Sequence, residues 1–163
     1  MDSSYLFRTI GISLVLYTIA CASPAMLLVH GDTLEPTLGF NLLCMSPLGF
    51  LVGQYCGFAN VLYIMTIGLF AAKLWKPAFY SGIAAILVGL TSLSLWWFGF
   101  PSNEGDVGPR TFLKYPLAGF YFWLGSMAVL SIASYMAERK NESSQNRNTD
   151  ASSDTGLDEH KTN

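Results

Sequence analysis

The chain has 163 residues, 52% apolar and only 12% charged, where soluble domains carry about 25% charged residues. Its net charge of −2 comes from the polar C-terminal stretch, and no basic patch points to nucleic acid. A soluble fold would need a core too large for this length, so the composition predicts an all-α membrane protein.

Residues 9–31, 36–72, 77–103 and 115–137 contain no Asp, Glu, Lys or Arg. Each stretch meets the roughly 20-residue requirement for a spanning helix. The reading is a bundle of four transmembrane helices, near 8–30, 48–73, 78–100 and 115–137, within a domain of residues 1–140. A disordered cytoplasmic tail, 141–163, follows it.

The first span has a rival reading. Arg8, an apolar run and Ala20-Cys21-Ala22 resemble a signal peptide with a cleavage site, so removal of residues 1–22 stays open. The apolar run continues through Leu28, past any cleavage point, which favours an uncleaved helix bent at Pro24. A loop with Asp32 and Glu35 follows. Residues 38–46 then form a short interfacial helix or extend the second span, and Pro47 argues for a break.

The second span places Gly53, Gly57, Asn60, Ile64, Gly68 and Ala71 on one stripe about 80° wide. The stripe predicts a central helix, packed against at least two others, with Asn60 bonding across the contact. Lys73-Leu74-Trp75-Lys76-Pro77 reads as a tight turn at a cytoplasmic boundary. The third span has a similar stripe, Ala78, Ser81, Ala85, Val88, Gly89 and Ser92, and ends in the aromatic belt Trp96-Trp97-Phe98. After a Gly- and Pro-rich loop, Pro116 is placed near the first turn of the fourth span. There Gly119, Trp123 and Ser126 share a face.

The tail from Asn141 is too polar to offset the entropy of ordering it. Near the span ends, Arg8, Lys73, Lys76, Arg139 and Lys140 lie on one side and Arg110 and Lys114 on the other. That bias predicts both termini in the cytoplasm.

Three places carry a resemblance: Cys21 with Pro24-Ala25; Gly39-Phe40, Leu43 and Gly49 leading into Phe58-Ala59-Asn60; and Gly119-Phe120-Tyr121-Phe122-Trp123-Leu124 with Ser126. In their order and spacing the chain resembles a family of small uncharacterised bacterial inner-membrane proteins with four predicted spans. Val61 and Ser46 depart from that pattern, where Pro and Gly are common. The resemblance implies four spans and a location in the bacterial inner membrane. It implies no activity.

Candidate chemistry is sparse. Asn60 reads as an interhelical hydrogen bond, since a substrate or ion path would want a charged companion at membrane depth. His30, Asp32 and Glu35 are marginal as Zn²⁺ ligands, and Cys21, Cys44 and Cys56 read as small apolar side chains. A Cys21–Cys56 disulfide is geometrically conceivable. No nucleophile–base arrangement or phosphate-binding loop is present. The expectation is therefore a non-enzymatic structural or accessory membrane component without cofactor or metal. Its partners are the lipid bilayer and itself or another membrane protein. The alternative is a small oligomeric channel or transporter using the Asn60 and Ser92 faces. The residues expected to carry packing or polar function are Gly53, Gly57, Asn60, Ser92, Trp123 and Ser126.

Overall fold

The computed structural model describes residues 3–30, 33–49, 57–99 and 111–155. In chain order they form α1 (Ser3–Ala22), β1 (Pro24–His30), β2 (Thr33–Leu38), α2 (Gly39–Gly49), α3 (Phe58–Ala71) and α4 (Trp75–Leu90). A 3-10 turn (Thr91–Ser94), α5 (Leu95–Phe98), β3 (Thr111–Pro116) and α6 (Ala118–Thr155) complete the fold. The protein is mostly helical, as the composition predicts, but it carries a small sheet that the hydropathy does not announce.

Three helical segments are long and apolar enough to cross a membrane: Ser4–Ala22, Trp75–Ser94 and Ala118–Ser144. They are compatible with a membrane location. α3 is apolar but has 14 residues. At about 1.5 Å per residue it reaches roughly 21 Å, short of a hydrocarbon core of about 30 Å. Residues 50–56, which precede it in the predicted second span, lie outside the described residues. Four spans are therefore not established.

The first span is corrected at its outer end. The helix stops at Ala22 instead of running to residue 30, and Pro24–His30 is a strand. Pro24 has no N–H to continue the helical ladder and stands where proline is tolerated, as the first strand residue. β1 then finds partners on both sides. It pairs antiparallel with β2, from Pro24 opposite Leu38 to His30 opposite Thr33. On its other edge it pairs antiparallel with β3, from Met26 opposite Pro116 to His30 opposite Thr111. The sheet order is β2-β1-β3, so β2 is an edge strand and can accommodate Pro36. Pro116 closes β3, and α6 begins two residues later.

α6 is the central helix, packing against both α1 and α4 and touching α3 and the first strand as well. This corrects the expectation that the second span is central. α3 buries Ala59, Tyr63, Thr66 and Phe70, with α4 as its main neighbour and Tyr63 turned to α1. Only the C-terminal part of the α3 small-residue stripe turns outward: Ile64 is 67% exposed, and a Cβ at Gly68 would meet nothing within 4 Å, whereas Gly57 and Asn60 face the interior cavity. α4 buries Ala78, Ser81, Gly82, Ala85 and Gly89, close to the stripe read from its sequence.

Two apolar clusters result. One lies among the helices, around Tyr63, Phe70, Ala85, Met127 and Leu130. The other lies under the sheet, where Ala25, Met26, Leu113 and Phe120 meet. Phe7, Val15, Leu87, Tyr121, Ile132 and Met136 are exposed around the outside, as lipid-facing side chains are. α6 continues through Thr155, across residues whose composition predicts a disordered tail. A helix already nucleated by packing extends at one bond per added residue. In the extension Ser143 and Ser144 hydroxyls donate to the Arg139 and Lys140 carbonyls.

Candidate functional site: a cavity between the bundle and the sheet

Where α1, α3 and α6 meet the sheet, they border a partly open cavity of about 340 Å³. Tyr17, Asn60 and Trp123 contribute one part of its wall, one from each helix. Met26 from β1, Thr37 from β2, and Gly39, Asn41 and Leu42 from α2 supply another. Ser92, Leu95, Gly119 and Phe120 complete the portion that matters here. No described lining residue is charged.

Asn60 anchors this region. Its Oδ1 accepts from Trp123 Nε1 at 2.9 Å and from the Tyr17 hydroxyl at 3.2 Å. One amide therefore ties α3 to α6 and to α1. The indole N–H only donates, so the atom facing it must be the amide oxygen. That assignment leaves Nδ2 with two hydrogens, and none of the described residues accepts from it.

Close backbone approach makes the arrangement possible. A Cβ at Gly89 would come within 3.0 Å of the Trp123 ring, so any larger residue there would require the indole to shift by a few tenths of an ångström. A Cβ at Gly119 would come within 2.9 Å of the Ser23 and Pro24 carbonyl oxygens. Gly119 thus lets α6 start directly beside the turn from α1 into β1. Gly39 allows α2 to sit on the backbone of Ala20 and Cys21, and its N–H donates to the Ser23 carbonyl at 3.0 Å.

A second polar chain runs through the bundle. Tyr17 stacks on Tyr63, with ring centroids 4.9 Å apart and planes 9° from parallel. The Tyr63 hydroxyl lies 2.8 Å from Ser13 Oγ, and Ser13 donates to the Ser126 carbonyl at 2.7 Å. Ser13 has a single hydroxyl hydrogen, so Tyr63 must be the donor to it. Ser126 Oγ donates to the Trp123 carbonyl at 2.6 Å. Between α3 and α4, the Thr66 and Ser81 hydroxyls are 3.0 Å apart and both reach the Leu62 carbonyl.

Of the residues singled out from the sequence, Gly57, Asn60, Ser92 and Trp123 all line this cavity. Ser126 is fully buried beside it and belongs to the hydroxyl chain. Gly53 lies outside the described residues. Ser92 Oγ donates to the Gly89 carbonyl at 2.8 Å and is committed to its own helix. Tyr17, Tyr63 and Ser13 are the residues that the sequence reading passes over. The available signal was Ser13 and Tyr17 at an i, i+4 spacing on α1, with Tyr63 one turn past Asn60.

Cys21 and Cys44 are free thiols, and Cys56 lies outside the described residues, as does Asp32. Among the described residues no group of His, Cys, Asp and Glu side chains could hold a metal ion. Comparison with protein-family models, curated proteins and solved structures finds no match for this chain.

Proposed function

We propose that this chain is an integral membrane protein that works without catalysis, as a structural or accessory component of its membrane. The observation that supports this reading is how its interior polar groups are spent. The hydroxyls of Ser13, Tyr63, Thr66, Ser81 and Ser126 bond to one another or to backbone carbonyls. All but the Ser126 hydroxyl, which bonds within α6, act as fasteners between helices, each worth roughly 0.6 kcal/mol on average, and none is an acid or base positioned for proton transfer.

The Lys and Arg bias puts both termini in the cytoplasm and the sheet outside. The resemblance to four-span proteins would place the chain in a bacterial inner membrane. The outward face of α3 suits a neighbouring helix, from a second copy or from another membrane protein.

A channel or transporter is the second reading, favoured by Asn60 and Ser92 lining one cavity. Reconstituting the full chain in proteoliposomes separates the two. The accessory reading expects ion and small-solute flux equal to that of protein-free vesicles, together with a stoichiometric cross-link to itself or to a membrane partner. Flux that disappears in Asn60→Leu would replace it with the transport reading.

A further inference from the structure

The cavity has chemistry that packing alone does not require. Interhelical fastening uses Asn60 Oδ1 twice and leaves the Nδ2 donors without a described acceptor. Asn60 is half-buried, and no fully buried side-chain nitrogen or oxygen lacks a partner among the described residues, so Nδ2 is a donor at the cavity surface and not one sealed in the packing. Nδ2 belongs to a residue of the cavity wall, and the wall is otherwise built largely from Ala, Leu, Met and aromatic side chains. No described residue of that wall carries a charge to compensate an ionised ligand. The volume of about 340 Å³ falls at the small end of ligand pockets, roughly 300–1,000 Å³. It suits one chain or one ring, and is too small for a whole two-chain lipid.

We propose that this cavity binds an uncharged, membrane-soluble molecule bearing a carbonyl group, whose oxygen accepts a hydrogen bond from Asn60 Nδ2. Trp123 and Tyr17 hold the amide so that its oxygen is occupied and its nitrogen is offered. At this point of the wall the cavity therefore offers a donor to an acceptor. A fatty acyl ester and a lipid-soluble quinone both carry this chemistry, and both occur in membranes. The proposal goes beyond the accessory role and stands whether or not that role does.

The test uses the purified full chain in non-ionic detergent, with thermal stability followed as ligand is added. A ligand that binds the folded state raises Tm by mass action. The probes are monoolein and its carbonyl-free ether analogue, and decylbenzoquinone and decylbenzene. At least one carbonyl probe is expected to raise Tm saturably and to bind about fivefold more tightly than its carbonyl-free partner, the worth of one net hydrogen bond. Preference confined to the monoolein pair assigns an acyl ester, and preference confined to the quinone pair assigns a quinone.

Asn60→Asp keeps an acceptor for Trp123 and Tyr17 but replaces the Nδ2 donor with an oxygen. It should erase the carbonyl preference. Leu42→Trp, which fills the cavity from α2, should weaken both members of the preferred pair by tenfold or more. Equal binding of carbonyl and carbonyl-free probes by the unaltered chain would overturn the proposal. So would binding that Leu42→Trp leaves unchanged. If Asn60→Asp does not fold, the probe pairs and Leu42→Trp still decide the matter.

Discussion

α3 and α4 are neighbours with closely similar sequences in outline: each is apolar, uncharged along most of its length and striped with small residues. Their stripes end in opposite places. On α4 the stripe is buried, and Gly82 packs so closely on Ser131 that a Cβ would collide with its side chain. On α3, Gly68 and Ala71 face outward while Tyr63, Thr66 and Phe70 point in. Small residues permit close approach but do not demand it. On α3 the inward face is chosen by groups that gain more from burial. These are the Tyr63 and Thr66 hydroxyls, which find Ser13 and Ser81, and the Phe70 ring, which sits edge-on to Trp75 at 5.2 Å.

The sharpest way to break this comparison is to enlarge both stripes. Gly82→Leu should cost at least about 1–3 kcal/mol by overpacking, because the new side chain collides with Ser131, which is buried and bonded to the Met127 carbonyl. Gly68→Leu should stay within about 0.5 kcal/mol of the parent, since its new side chain meets open space. Detergent melting curves of the two variants settle the order. Equal losses would mean that the α3 stripe is covered after all.

Gly89→Ala tests whether glycine on α4 sets the Trp123 ring. The added methyl pushes on the indole and loosens its bond to Asn60, at about 1 kcal/mol. The loss should appear as a lower Tm together with a shift in tryptophan emission. An unshifted spectrum would show that the ring was not constrained from that side.

Lys73 joins the two helices with φ of 60°, the one positive φ at a non-glycine among the described residues. Lys73→Gly should therefore stabilise the turn by about 1 kcal/mol, read as a raised midpoint.

The smallest effect is expected from Tyr63→Phe, which removes one hydroxyl from the inward face of α3. The loss should be roughly 0.6 kcal/mol, since Ser13 keeps its bond to the Ser126 carbonyl. A larger loss in the same melting assay would mean that the hydroxyl chain acts cooperatively.

Much of the helical architecture was legible because charge-free length at membrane scale is a strong signal. Trp75–Ser94 and Ala118–Ser144 overlap most of the expected third and fourth spans. The sheet was hidden by the same signal. Pro24–His30 is apolar enough to pass as the end of a helix, and only the Gly31-Asp32 pair between two short runs hinted at a hairpin. β3 carried even less warning, because its partner lies in a distant part of the chain. At the cavity, Asn60 and Trp123 stood out as polar or amphipathic groups in apolar helices. Their meeting with Tyr17 did not, because a contact among three helices depends on how α1 and α3 are set against α6. No periodicity within one helix encodes that.

The sheet order also imposes a sequence of events on biogenesis. β1 can pair with β2 as soon as the hairpin emerges, but its other edge waits for β3. Those residues are synthesised roughly 80 positions later, a delay on the order of 4–16 s at about 5–20 residues per second. During that interval an apolar strand with unpaired N–H and C=O groups is available to other chains. Arrival of β3 closes that edge and leads directly into α6, the helix that α1 and α4 both pack against. Completion of the sheet and completion of the bundle are therefore one late event, and a nascent chain stalled before Thr111 would remain an open template for misassembly.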